Sequence, residues 1–186
     1  MLKKVIFTLL VVTFTASLNA GMMSMSMGKD VSINGDDLVK KDGLYYYNSK
    51  PYTGDAKYKY SNGKKKKMVH YYKGKIDGKF ESWYANGLKK ELAYFYYNKQ
   101  DGEFSTWYKN GEKKLSAYFR DGKQNGETRT WYESGSKKTS IYFKDGVKNG
   151  GLKTWYESGQ KARKALYVNG VMQSQKVWDE DGNRIK

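Results

Sequence analysis

Cysteine is absent from the 186 residues, so no disulfide and no lipid-anchored cysteine can form. Histidine and proline occur once each, as His70 and Pro51. Leu, Ile and Val are sparse beyond the first 20 residues, which excludes a conventional two-layer aliphatic core. What is plentiful is tyrosine, with 18 residues, joined by Trp and Phe. Aromatic side chains must do most of the burying, and each covers a large apolar area. The net charge of +16 favours acidic partners and carries no information about fold.

The first residues stand apart. Lys3 and Lys4 precede the apolar run VIFTLLVVTFTA and then SLNA. Basic start, short apolar stretch and small residue form the order of a secretory signal. Residues 1–20 are expected as that signal, cut after Ala20. The run is too short to span a bilayer comfortably, so no transmembrane span is expected after cleavage. The mature chain is then an exported protein, periplasmic, envelope-associated or secreted. Residues 21–42 carry no repeat and are expected as a flexible, Met- and Ser-rich lead-in.

From there one phrase recurs every 24 residues: WYANG at 83–87, WYKNG at 107–111, WYESG at 131–135 and again at 155–159. Other columns keep the same register. Gly54, Gly78, Gly102, Gly126 and Gly150 form one, and Tyr71, Phe95, Phe119, Phe143 and Tyr167 another. A period of this length marks an array. The repeat domain is assigned to 43–186: a partial unit 43–53, units 54–77, 78–101, 102–125, 126–149 and 150–173, and a terminal partial unit 174–186.

Each unit carries two turn signals. Asn86-Gly87 and Asn110-Gly111 belong to one series, Asp121-Gly122 and Asp145-Gly146 to the other. Both suit two-residue hairpin turns with positive φ at the two central residues. The segments between them are rich in Tyr, Phe, Trp and Thr, which favour strands, and show no helical period. The expected fold is all-β: an elongated, single-sheet antiparallel array of β-hairpins. A lone hairpin is barely stable, so units must stack to bury one another's aromatic columns.

Turns centred on these dipeptides place Phe104 opposite Ala117, and Ala117 opposite Gly126. Alternation then puts Phe104, Ala117, Phe119, Ile141 and Phe143 on a packed side. Trp107, Trp131, Tyr118 and Tyr142 fall on the other, with Glu127, Arg129, Lys114 and Lys138. The same turns imply a register drift of two residues per unit, which a bulge near Asn125-Gly126 would absorb.

The pattern G-x-x-x-x-W-Y-x-[NS]-G-x-K-K, an aromatic pair, then [DN]-G-x-x-[ND]-G resembles the MORN-type repeat in its shorter bacterial variant. The segment GLYYYNSKPYTG, residues 43–54, resembles the entry segment of the bacterial YwqK-family antitoxin proteins. The resemblance runs over about residues 30–186 and implies a scaffold or binding surface; the family name implies neutralising a toxin.

No catalytic constellation and no cofactor is expected. His70 occupies the column held elsewhere by Tyr94, Tyr118 and Tyr142, and reads as a replaced tyrosine. Glu133 and Glu157 recur because the unit recurs. Met22, Met23, Met25 and Met27 are soft ligands of the kind that select Cu(I), but no His or Cys completes a site, so no metal is expected.

The lysine pairs Lys65-Lys66, Lys89-Lys90, Lys113-Lys114 and Lys137-Lys138 follow each turn and are expected to line one edge as a basic row. The candidate binding face is Trp83, Trp107, Trp131 and Trp155 with Tyr94, Tyr118, Tyr142, Lys90, Lys114 and Lys138. The expected function is a non-enzymatic protein-binding scaffold, antitoxin or immunity-like as the resemblance implies. The alternative is an envelope-associated binder of anionic glycan or lipid, through the lysine rows and the Trp and Tyr columns. Nucleic acid is not the expected partner of an exported chain.

Overall fold

The computed structural model describes residues 32–186. The signal segment, its cleavage point and the Met22–Met27 cluster lie outside the described residues. Among those described, the strands are β1 (Ile33–Asn34), β2 (Val39–Lys41), β3 (Leu44–Tyr47), β4 (Lys50–Pro51), β5 (Gly54–Lys59), β6 (Lys65–Tyr72), β7 (Lys75–Trp83), β8 (Lys89–Tyr96), β9 (Lys99–Trp107), β10 (Lys113–Arg120), β11 (Lys123–Gln124), β12 (Gly126–Trp131), β13 (Lys137–Lys144), β14 (Val147–Trp155), β15 (Lys161–Val168) and β16 (Val171–Val177). From β5 to β16 each strand pairs with the next through a hairpin, giving one long antiparallel sheet; β11 is a short piece of the strand that continues as β12.

The two turn series differ in build. Asp121 (φ 50°) and Gly122 (φ 78°) both have positive φ and join directly paired Arg120 and Lys123, the two-residue turn the sequence predicts. At the other end of the unit only Gly111 has positive φ (95°). There Gly111 N–H donates to Tyr108 C=O, Tyr108 N–H donates to Glu112 C=O, and Asn110 Oδ1 accepts from Glu112 N–H. This is a turn one residue longer than expected. A bulge between Lys113 and Leu115 takes up the extra residue, so Phe104 still faces Ala117.

The second expected pairing is corrected. Leu115 faces Thr130 and Ser116 faces Arg129, which aligns Ala117 with Thr128 rather than Gly126. Beyond the tight turn, Asn125 and Gly126 form the expected bulge, and it is two residues deep. The same shift recurs between Ala93 and Phe95 on β8 and between Ile141 and Phe143 on β13. Its effect is that Phe104 stands two strands from Phe80 in direct line, with Ala93 between them. The drift vanishes, and equivalent residues 24 apart align.

That alignment builds the core as a single row. Ala56, Val69, Phe80, Ala93, Phe104 and Ala117 follow across successive strands, and Thr128, Ile141, Leu152 and Ala165 continue it. Large and small residues alternate in its middle. Ala93 is 1% exposed and Ala117 4%, although the fold is one sheet thick. Flanking rings supply the cover: Phe80 meets Phe95 edge to face at 6.2 Å, and Phe104 meets Phe119 at 5.8 Å.

The N-terminal part of the described chain is more structured than the expected flexible lead-in. β1 pairs parallel with β5 and occupies the outer edge of the array. A short 3-10 turn over Gly35–Asp37 follows, capped by Asn34. A Cβ on Gly35 would fall 2.1 Å from the Tyr58 ring, so only glycine lets the chain cross there. β2, β3 and β4 form a small second sheet beside the array. Tyr45, Tyr52 and Tyr71 cluster between them, with Tyr45 and Tyr71 ring centres 4.8 Å apart. At the far end, residues 177–186 fold back so that Ile185 N–H donates to Val177 C=O and Trp178 bridges to Arg184.

Candidate binding face

Two faces result, the core row on one and the tyrosine–tryptophan columns on the other. Tyr94, Tyr118 and Tyr142 pair with Lys79, Glu103 and Glu127 on the neighbouring strands and are 37%, 47% and 48% exposed. His70 begins the column, with its Nδ1 2.8 Å from Asp55 Oδ1. Packing explains the column's place. A Cβ on Gly102 would lie 3.0 Å from Tyr94 Cβ, and one on Gly150 3.0 Å from Tyr142 Cβ. The bulge glycines leave room for these rings.

Beside it run Trp83, Trp107, Trp131 and Trp155, each the last residue of its strand and half-buried. The bulge decides which lysine meets them. Lys113 pairs directly with Trp107, and its ammonium lies 5.9 Å from the Trp107 ring centre and 5.9 Å from that of Trp131. Lys89 lies 5.6 Å from Trp107 and Lys65 5.7 Å from Trp83. Lys113 is thus threaded between two indoles, while Lys65 and Lys89 each lie over one, the apolar stem on the ring and the charge in water.

The second lysine goes elsewhere, against expectation. Lys90, Lys114 and Lys138 lie over Tyr84, Tyr108 and Tyr132 at 5.8, 5.4 and 5.0 Å. They do not join the tryptophans. A one-residue bulge hidden between two identical lysines is invisible to strand alternation, which therefore points to the wrong member of each pair. The lysines that do line the tryptophan column are Lys65, Lys89 and Lys113.

Carboxylates punctuate this face. Glu81 accepts from Lys79 (3.1 Å) and Lys89 (3.0 Å). Burial raises its pKa, but these two ammonium groups outweigh that and the net shift is downward. Glu103 accepts from Ser105 Oγ at 3.0 Å. Glu127 accepts from Ser140 Oγ at 2.6 Å and pairs with Arg129; the two hydrogen bonds pull its carboxyl below the usual range. Glu81 and Glu127 therefore sit among cations of their own units, while Glu103 is held by a hydroxyl.

Units are also stitched together at the turns. Tyr60, Tyr84, Tyr108, Tyr132 and Tyr156 donate through their hydroxyls to the carbonyls of Trp83, Trp107, Trp131, Trp155 and Trp178, at 2.7–2.9 Å. Asn86 and Asn110 donate through Nδ2 to the carbonyls of Lys109 and Glu133 in the next unit. Much of the W-Y-x-N-G phrase is therefore joinery.

Residues 124–145 and 148–169 each match the family model described as MORN repeat variant. No curated protein matches the chain. The two matched stretches start close to successive bulges and end at successive tight turns, and the other units repeat their columns. The repeats make the chain a repeat-based scaffold.

Proposed function

We infer that this is an exported, non-enzymatic scaffold whose exposed tyrosine column docks another protein. The observation that carries this reading is the file of Tyr94, Tyr118 and Tyr142, half-exposed and held at one-unit spacing on one face of the sheet. Tyrosine gives a rigid, amphipathic contact with few rotamers to lose, which suits a protein interface. The narrower reading, an antitoxin or immunity-like protein whose partner is a toxin, draws on the resemblance of residues 43–54. It requires a partner present in the same compartment.

The test uses the full chain and a Tyr94→Ser, Tyr118→Ser, Tyr142→Ser variant as baits in envelope extract and culture fluid. One protein retained through a high-salt wash by the parent and lost from the variant, then rebound as purified protein, is the expected result. Retention that is equal for both baits would remove the tyrosine column from the interface.

A second reading, an anionic glycan or lipid held by the lysines, draws support from one particular place. In inner units Glu81 pairs with Lys79 and Lys89, and Glu127 with Arg129. At the last unit that pairing is missing.

A further inference from the structure

Two clefts of similar size sit one unit apart on the tryptophan face. The first, about 440 Å³, lies between Trp131 and Trp155 and contains Glu127, Arg129, Lys137, Ser140 and Lys153. The second, about 380 Å³, lies between Trp155 and Trp178 and is lined by Lys153, Lys161, Arg163, Lys164 and Lys176. Moving 24 residues along replaces Arg129 by Lys153 and Ser140 by Lys164. It replaces Glu127, the carboxylate that both of those partners hold, by Gly151.

The second cleft is thus a cation site with its internal anion removed. Lys153 pairs directly with Lys164, and Lys164 with Lys176, so three ammonium side chains stand abreast on adjacent strands. Like charges directly opposite in a sheet are destabilising. Among the described residues no carboxylate forms an ion pair with any of the three. Arg163 adds a further cation to the lining, with its guanidinium 3.0 Å from Met172 Sδ. Nothing local compels glycine at 151. Its φ lies outside the left-handed region, and a Cβ there would meet nothing within 4 Å.

We propose that the cleft between Trp155 and Trp178 binds a short acidic oligosaccharide, with one carboxylate per sugar ring set against Lys153, Lys164 and Lys176. The proposal rests on the glycan reading and confines it to one end of the array. Strands stand ~4.8 Å apart, a spacing close to the length of one hexose ring, so successive carboxylates fall in step with successive lysines. The half-buried indoles of Trp155 and Trp178 offer flat apolar surfaces to the ring faces at either end. A long nucleic acid fits worse, since it needs an unbroken basic track. Here Glu127, Glu103 and Glu81 interrupt the track in the three units that precede the cleft.

The test titrates the full chain with tetragalacturonate, with its fully methyl-esterified form and with inorganic phosphate, following tryptophan emission and calorimetric heat. The parent should bind tetragalacturonate and neither the ester nor phosphate. Gly151→Glu restores the missing carboxylate, and it and the Lys153→Gln, Lys164→Gln pair should each weaken binding at least about tenfold, the loss of about one charge-assisted contact. The Lys90→Gln, Lys114→Gln pair makes the same charge change in inner units and should leave affinity within about twofold. Unfolding midpoints confirm that each variant is folded. Equal weakening by both lysine pairs would overturn the site while leaving the wider glycan reading standing. Displacement of the sugar by phosphate at equal concentration would overturn its sugar specificity. No binding of tetragalacturonate by the parent would overturn the site and leave the wider glycan or lipid reading without this cleft as its seat.

Discussion

The Tyr108 hydroxyl donates to the Trp131 carbonyl at 2.8 Å, across the boundary between one unit and the next. The bond replaces a backbone partner that Trp131, at the end of its strand, would otherwise seek in water. Tyr108→Phe keeps the ring under Lys114 and removes only the hydroxyl. It should cost about 1 kcal/mol in denaturant melts, the net value of one such bond. Tyr118→Phe, whose ring is exposed on the binding face, should cost much less. Equal losses would deny the bond its stitching role.

Glycine carries two separate duties in the unit, and substitution should separate them. Gly87, φ 97°, has open space where a Cβ would stand, so Gly87→Ala meets backbone strain alone, about 1 kcal/mol. At Gly102, φ 116°, an added Cβ would lie only 3.0 Å from Tyr94 Cβ. Gly102→Ala should lower the unfolding midpoint clearly more than Gly87→Ala.

The two-residue bulge makes a sharp prediction about deletions. Removing residues 102–125 joins Asp101 to Gly126 and recreates the Asp-Gly step of a normal unit. A shorter array with one cooperative transition is expected. Removing Asn125 alone shifts every later strand by one residue and turns its core row to the wrong side. The smaller deletion should therefore be the more damaging, as thermal melts and near-ultraviolet dichroism would show.

Alkaline pH should loosen the fold through buried tyrosines. Burial raises the pKa of Tyr58 and Tyr71 above the ordinary 10.0, and Tyr71 is the more strongly shifted. Burial also raises Tyr108, helped by the charges of Glu133 and Glu157. A raised folded-state value means the stabilisation is complete below pH 10.0 and lost as pH climbs toward the folded pKa. Denaturant midpoints should hold steady at neutral pH and fall above about pH 10. Tyr71→Phe, lacking the ionisable group, should show a shallower fall.

Much of this was legible in the sequence because a repeat prints the same constraint many times. The 24-residue period, the all-strand character and the facing of Phe104 and Ala117 all follow from columns and turn dipeptides. The turn build was not legible, because Asn-Gly serves both the two-residue turn and the longer one. The choice between Lys113 and Lys114 turned on a bulge inside a lysine pair. The edge strand β1 and the small sheet at residues 39–51 lie where the period gives no guidance, and tertiary contact to Tyr58 and Tyr71 shapes them. The last cleft needed cross-strand register: Gly151, Lys153, Lys164 and Lys176 are unremarkable along the chain and conspicuous only when β14, β15 and β16 lie side by side.

The five hydroxyl-to-carbonyl bonds all run the same way, from an earlier unit to a later one. The array therefore has polarity, like a file of people each with a hand on the next one's shoulder. A one-way file has a distinguishable head and tail, and this chain treats them differently. β1 lies along the head, and residues 177–186 double back over part of the tail. Toward the tail, Gly151 also stands where Glu127 stood one unit earlier. Direction, which the repeat alone would leave without a stopping point, becomes position: a partner that travels along the ribbon meets one end unlike all the rungs before it.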